Sequence, residues 1–265
     1  MNVVFTDLDG TLLDHETYSW DAARRALERL KNLRVPWVFV TSKTRAEVAL
    51  WRSRLGNRHP FVVENGAAAF VPCHYFAFPI AGSFERDNYH VLEWGRKYGH
   101  LVACLKEASR HTRCRVRGFH EMTAAEISFM CDLPLEQAAL AKLREYDEPF
   151  RVLDIERVGQ LLHGIEQQGL RWTKGGRFWH ITGENDKAIA VASLQRLFER
   201  AYGPLQTIGL GDAANDASFL KLVKVPVLVR SRGSAKLKAA VSRGILTEQP
   251  GPAGWNEAVL KMVAG

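Results

Sequence analysis

Apolar residues follow two rhythms along this chain. Short unbroken runs, Val3-Val4-Phe5, Trp37-Val38-Phe39-Val40 and Phe61-Val62-Val63, each stop at polar or glycine-containing segments, as strands buried on both faces do. Between the first two runs, Ala23, Ala26, Leu27, Leu30 and Leu33 recur at helical spacing within residues 20–33. A second helix is expected from about residue 43 to 55. Pro36 and Pro60 precede the second and third runs, and Glu64-Asn65-Gly66 signals a turn after the third. Strands alternating with helices in this way build a parallel sheet, so the fold class is α/β.

The rhythm breaks near Gly82. Residues 83–88 are polar, and the next hundred residues lose the strict alternation, which predicts an inserted α+β domain. Its most readable part is a helix over residues 135–146 behind Pro134, closed by Asp147-Glu148-Pro149 ahead of a strand at residues 150–153. An amphipathic helix at 187–200 and strands at 207–210 and 225–229 then resume the first pattern. Residues 1–82 and 182–265 are therefore expected to form one domain split in sequence around an insert at 83–181. Residues 248–254, with two prolines and two glycines, read as a loop before a last short helix, and Tyr75-Phe76-Phe78 as sheet packing.

Composition narrows the class. With 265 residues, 46% hydrophobic and 25% charged, the chain has ample material for a core and the length of two modest domains. Cys73, Cys104, Cys114 and Cys131 are far apart with no C-x-x-C pair, a spacing that argues against a zinc site or a disulfide framework and for free thiols in a reducing cytosol. No apolar run approaches the roughly 20 residues that span a bilayer, and Asp7 interrupts the N-terminal run. A soluble cytoplasmic protein with no membrane partner is expected. The net charge of +7 suits an anionic small substrate or solubility, and its dispersed arginines do not favour nucleic acid.

The candidate chemistry is acidic. Asp7-Leu8-Asp9-Gly10-Thr11 ends the first strand, and the carboxyl edge of a parallel sheet is where α/β proteins place ligands. Far along the chain, Gly209-Leu210-Gly211-Asp212-Ala213-Ala214-Asn215-Asp216 again runs from a short strand into glycine and acids. Three or four carboxylates converging at one edge repel one another unless a hard cation holds them, and such an oxygen set suits Mg²⁺.

These residues, with a hydroxyl after the second strand and a lysine before a late helix, together resemble the haloacid dehalogenase-like (HAD) phosphatases. The resemblance spans residues 7–216 and implies a Rossmann-like parallel-sheet core with an inserted α+β cap domain of the C2B type. It also implies residue roles. Asp7 is the nucleophile that forms an aspartyl-phosphate, and Asp9 the acid and base. Thr41 or Ser42 supplies the second-motif hydroxyl, and Lys187 neutralises the phosphoryl oxygens and restrains Asp7. Mg²⁺ falls to Asp7, the Asp9 carbonyl and Asp212, with Asp216 and Asn215 beside them; Gly10 and Thr11 complete the first loop.

Within that superfamily, several segments are similar to mannosyl-3-phosphoglycerate phosphatases: Thr41-Ser42-Lys43-Thr44-Arg45 with Glu47, Glu64-Asn65-Gly66, Arg144-Glu145-Tyr146-Asp147-Glu148-Pro149-Phe150, and Gly176-Arg177-Phe178-Trp179-His180. That resemblance implies a phosphorylated sugar substrate contacted by Lys43, Asn65, Arg177 and His180, and a product that serves as a compatible solute. The charged groups suit a phosphate and a carboxylate, with Asn65 and Glu145 for sugar hydroxyls. The same motifs also admit a glucosyl-3-phosphoglycerate or broader sugar phosphatase, a hexose phosphomutase, or a non-catalytic phosphosugar- or nucleic-acid-binding protein.

Overall fold

The computed structural model describes residues 1–174 and 177–263. Thirteen strands occur among them: β1 Asn2–Thr6, β2 Trp37–Val40, β3 Phe61–Val63, β4 Ala68–Pro72, β5 Phe84–Arg86, β6 Tyr89–Glu93, β7 Val116–Gly118, β8 Asp147–Val152, β9 Arg171–Lys174, β10 Trp179–Thr182, β11 Gln206–Gly211, β12 Val225–Arg230 and β13 Ile245–Pro250. They divide into two sheets that belong to two compact units.

The first unit comprises Met1–Ser42, Asn57–Glu93 and Asp186–Gly265. Its sheet has nine strands in the order β13-β12-β11-β1-β2-β3-β4-β6-β5. Pairing is parallel from β13 through β3, then antiparallel for β4, β6 and β5. The strands that read as unbroken apolar runs are central, and Val3, Val4, Phe5, Val38, Phe39, Val40 and Val62 are fully buried. Each such side chain contributes about 1.5–3 kcal/mol on leaving water, which is why the run, and not an alternating pattern, marks the sheet centre. Beneath β1 the Trp255 indole donates to the Thr6 hydroxyl at 2.9 Å, satisfying the polar ends of two buried residues.

The second unit comprises Lys43–Gly56 and Trp94–Asn185. An antiparallel sheet in the order β7-β8-β10-β9 packs with helices Tyr98–Thr112 and Val158–Glu166 around Leu101, Leu105, Phe150, Leu161, Ile165 and Ile181. The helix Arg45–Leu55 opens with a reciprocal cap: the Thr44 hydroxyl accepts from the Glu47 amide, and the Glu47 carboxylate accepts from the Thr44 amide.

Five local expectations need correction. The helix expected over 135–146 stops at Ala141. Asp147-Glu148-Pro149 does not close the helix but begins β8, with both acids buried. Acids in a strand interior are tolerated because Asp147 meets Arg144 and His180, and Glu148 meets His120. Of the loop expected at 248–254, residues 248–250 end β13 and the rest open the helix Gly251–Met262, where Pro252 sits in the first turn with no amide to waste. Tyr75, Phe76 and Phe78 lie outside the strands, where the rings of Tyr75 and Phe76 meet Phe198. The polar stretch after Gly82 contributes β5 and β6 to the nine-stranded sheet, so the first unit extends to Glu93.

Candidate active site

Parallel pairing brings distant acids together. β1 pairs with β11 in register from Asn2 with Gln206 to Thr6 with Leu210, so Asp7 and Asp212 leave neighbouring strands at the same edge. The Asp7 amide still donates to the Leu210 carbonyl at 2.9 Å. Gly10, at φ +71°, then passes so close to Asp212 that a β-carbon there would stand 2.8 Å from its Oδ2. Only glycine adopts that turn at that distance without strain. Thr11 Oγ1 donates to Asp212 Oδ1 at 3.2 Å, a tie the sequence did not single out.

Lys187 is the first residue of the helix Lys187–Tyr202, whose N-cap Asp186 accepts from the Ala188 amide at 2.6 Å. A cation at a helix N-terminus opposes the helix dipole, so this lysine is placed for its partners and not for the helix. It is 1% exposed, and Nζ donates to Asp7 Oδ1 at 2.8 Å and to Asp216 Oδ1 at 2.7 Å. Asp216 is itself fixed, because its Oδ2 accepts from the amides of Asp212 and Ala213, each at 3.0 Å. Asp216 thus links the lysine to the loop that carries Asp212.

One ammonium is shared by several carboxylates, and their acidities show it. Burial pushes the Asp7 carboxyl well above its usual range; Lys187 opposes this, and Asp216, Asp212 and Asp9 add to it. Burial, then Asp216, pushes Asp212 up to about 7. Lys187 shifts upward because Asp216 and Asp7 outweigh the burial that would lower it. This is an anionic site with too little positive charge, which a divalent cation corrects. Oxygens from Asp7, Asp212 and Asp216 all lie within 4.8 Å of one another. An octahedral Mg²⁺ sets neighbouring oxygens about 2.9 Å and opposite ones about 4.2 Å apart, so the donor set fits in size, charge and hardness.

The remaining candidates fall as follows. Asp9 lies partly buried beside the other acids. Thr41 is fully buried, with its amide and carbonyl tied to Val62 and Asn65, whereas Ser42 is half-buried. Asn215 Nδ2 donates to Asn65 Oδ1 at 3.1 Å, joining the turn after β3 to the loop after β11. That turn holds three successive residues at positive φ, Glu64, Asn65 and Gly66, and Gly66 lies against the Asp186–Lys187 peptide, where a β-carbon would be 2.2 Å from the Asp186 carbonyl oxygen. The turn was legible in sequence; its bracing of Lys187 was not, because that contact joins segments 120 positions apart.

Lys43, Arg177 and His180 belong to the second unit. Lys43 is buried, 3.4 Å from Glu47. His180 Nδ1 lies 2.9 Å from Asp147, and Arg177 donates to the Met130 carbonyl at 2.7 Å. Arg177 also lines a pocket of about 260 Å³ with Met130, Arg151 and Phe178. Arg151 was read only as a strand residue, yet its alternation with buried Phe150 places it on the polar side of β8. Arg144 holds Asp147 and Glu145 holds Arg45. Gly176 lies outside the described residues.

Comparison with known proteins agrees with this architecture. Residues 4–75 match the family model for haloacid dehalogenase-like hydrolases. A solved structure, a sugar phosphatase of HAD subclass IIB, superposes with a TM-score of 0.64 at 17% identity, covering 98% of each chain. The mostly parallel sheet, the separate antiparallel sheet and the acidic edge define the class: this is a HAD-like hydrolase with a C2B-type α+β insert. A glucosyl-3-phosphoglycerate/mannosyl-3-phosphoglycerate phosphatase of Methanococcoides burtonii is 41% identical over 268 residues, 99% of this chain and 97% of its own. A mannosyl-3-phosphoglycerate phosphatase of Pyrococcus furiosus is 34% identical over 229 residues, 86% of this chain and 91% of its own. The chain belongs to the mannosyl-3-phosphoglycerate phosphatase family and is a phosphoric monoester hydrolase.

Proposed function

We propose that the protein hydrolyses mannosyl-3-phosphoglycerate to mannosylglycerate and phosphate through an aspartyl-phosphate on Asp7. The observation that carries the chemistry is the buried Lys187 ammonium, held between Asp7 and Asp216 beside Asp212; the substrate is inferred from the two named relatives.

A carboxylate attacks an anionic phosphorus centre only where the phosphoryl charge is offset. Lys187 holds Asp7 Oδ1, so the other oxygen, Oδ2, is the attacking atom. As the Asp7–phosphorus bond forms, the bond from phosphorus to the glyceryl oxygen breaks, and Asp9 gives that oxygen a proton. Asp9 then takes a proton from the water that attacks the aspartyl-phosphate, releasing phosphate and restoring the Asp7 carboxylate. Asp7, the Asp9 carbonyl and Asp212 would hold Mg²⁺, which when bound offsets phosphoryl charge. Asp216 positions both Lys187 and the loop of Asp212. The half-burial of Ser42, against the complete burial of Thr41, supports Ser42 as the hydroxyl that meets the phosphoryl group. With β5 and β6 in the first unit, residues 94–181 are proposed as the cap that reads the rest of the substrate, and Lys43, Asn65, Arg177 and His180 as candidate substrate contacts. A cytoplasmic role in making a compatible solute accords with this reading, and among the described residues no helix is long and apolar enough to cross a membrane.

The M. burtonii relative is named for both sugars, which favours use of glucosyl-3-phosphoglycerate as well. The two substrates differ only in hydroxyl stereochemistry, a distinction of one or two hydrogen bonds. The test is phosphate release from a panel holding both compounds, hexose phosphates and an aryl phosphate, with Mg²⁺ or with chelator. The two glycerate esters should give the highest kcat/KM and only with Mg²⁺. Asp7→Asn should lower release by at least about 10³-fold, as loss of a nucleophile does. Undiminished release by that variant would remove Asp7 from the role, and an isomerised hexose phosphate in place of free phosphate would make the protein a mutase.

A further inference from the structure

The free edge of the nine-stranded sheet carries a second group of metal-ligating side chains, chemically unlike the acidic site. Cys73 follows β4 directly, Glu85 lies in β5 and His90 in β6. One ligand atom from each, a sulfur, a carboxylate oxygen and an imidazole nitrogen, all lie within 4.8 Å of one another.

Backbone pairing makes this grouping more than a chance of exposed side chains. Glu85 and His90 are directly opposed partners in the β5–β6 hairpin, so they project from the same face. Asp87 and Asn88 form its two-residue connection, both at positive φ (51° and 64°), the geometry of the hairpin turn whose twist matches the flanking strands. His90 also opposes Val71 in β4. Cys73, two residues beyond Val71, therefore falls on that face as the diagonal neighbour of His90, and its amide donates to the Asn88 carbonyl at 2.9 Å. The register that sets the three side chains together is fixed by main-chain hydrogen bonds on both sides of β6.

We propose that Cys73, Glu85 and His90 bind a borderline divalent cation of the Zn²⁺ class, with water completing a tetrahedron. Thiolate, imidazole and carboxylate are the three ligand types zinc takes, at about 2.3, 2.0–2.1 and 2.0–2.2 Å. Those bond lengths place donors about 3.4–3.6 Å apart around a tetrahedral ion. His90 Nδ1 and Glu85 Oε1 are 3.8 Å apart, and the glutamate side chain is 75% exposed and free to close the remaining few tenths of an ångström. Mg²⁺, which demands hard oxygen ligands, would not compete here, and the all-carboxylate site offers no sulfur. Sequence spacing argued against zinc because the three residues have no tandem motif; β-pairing supplies the proximity that a motif would have encoded. Occupancy would tie the β5–β6 hairpin to the end of β4, pinning the exposed edge strand of the sheet.

Co²⁺ reports on this site, since a thiolate ligand gives a sulfur-to-cobalt charge-transfer band that a carboxylate site cannot produce. Reduced, full-length protein is titrated with Co²⁺ in the presence of excess Mg²⁺. One equivalent should develop the band, and Zn²⁺ should displace it. Cys73→Ser should abolish it and His90→Ala should weaken Co²⁺ binding by at least about tenfold, while phosphate release with Mg²⁺ stays at the wild-type level in both. Absence of the band in the wild-type protein, or its persistence in Cys73→Ser through Cys104, Cys114 or Cys131, would overturn the assignment.

Discussion

Replacing Gly66 with alanine tests whether the turn after β3 positions Lys187. Gly66 has φ +90°, and an added β-carbon would lie 2.2 Å from the Asp186 carbonyl oxygen, 2.3 Å from its carbon and 2.5 Å from the Lys187 nitrogen. Ordinary contacts begin near 3.4 Å, so the Asp186–Lys187 backbone must retreat by about 1 Å, and no flexible side chain is available to yield instead. Lys187 Nζ is held at 2.8 and 2.7 Å from its two carboxylates; a shift of that size carries both contacts past hydrogen-bonding distance. The left-handed conformation costs an alanine about 1–2 kcal/mol, and the overlap adds about 1–3 kcal/mol. A total near 3 kcal/mol lowers Tm by about 6–12 °C in a protein of this size. Misplacement by about 1 Å lowers kcat by about 10²-fold. Gly82→Ala is the control, because Gly82 has φ +76° with nothing within 4 Å of the added carbon; it carries the backbone strain alone and should leave kcat untouched. Thermal unfolding and phosphate release are measured on both variants. If Gly66→Ala loses no more Tm than Gly82→Ala and keeps kcat within about twofold, the bracing argument fails.

Lys187→Met removes the ammonium from between Asp7 and Asp216 and should cost about 3–5 kcal/mol, as stripping one partner from a buried ion pair does; wild-type Tm in the variant would count against the pairing. Asp147→Asn should be less stable than wild type at neutral pH. Burial raises the Asp147 carboxyl, but the His180 charge and hydrogen bond, together with Arg144, outweigh it and hold the group below its usual value. A depressed acid contributes its stability in full above the unfolded value of about 3.9 and loses it as pH falls through the folded value. The stability gap between wild type and Asp147→Asn should therefore hold from about pH 7 to 5 and narrow below about pH 4; urea unfolding across that range checks it, and a gap still constant at pH 3 would contradict the sign.

Much of the fold was readable because burial on both faces leaves a plain mark. Val3-Val4-Phe5 and Phe61-Val62-Val63 could be placed as strands without knowing their neighbours, and the helix expected from about residue 43 to 55 forms at Arg45–Leu55. The acids of the first and last motifs were legible from glycine-flanked spacing at strand ends. The errors lie where burial is shared with distant partners. Asp147 and Glu148 look like turn residues until Arg144, His180 and His120 are brought to them, and Pro149 looks like a stop although its carbonyl accepts from the Phe119 amide. Residues 84–93 looked like the start of the insert because edge strands need not be continuously apolar.

The sequence by itself determined the central parallel strands and the helices between them, the residue types at the acidic edge and the family of the chain, since these depend on local periodicity and on motifs that are contiguous or nearly so. Tertiary structure alone decided which carboxylate oxygens Lys187 grips, that Gly66 rather than a side chain bears against its helix, and that Cys73, Glu85 and His90 share one face. Such facts are set by strand register and backbone approach across long separations, and neither leaves a periodic trace in the residues that produce it.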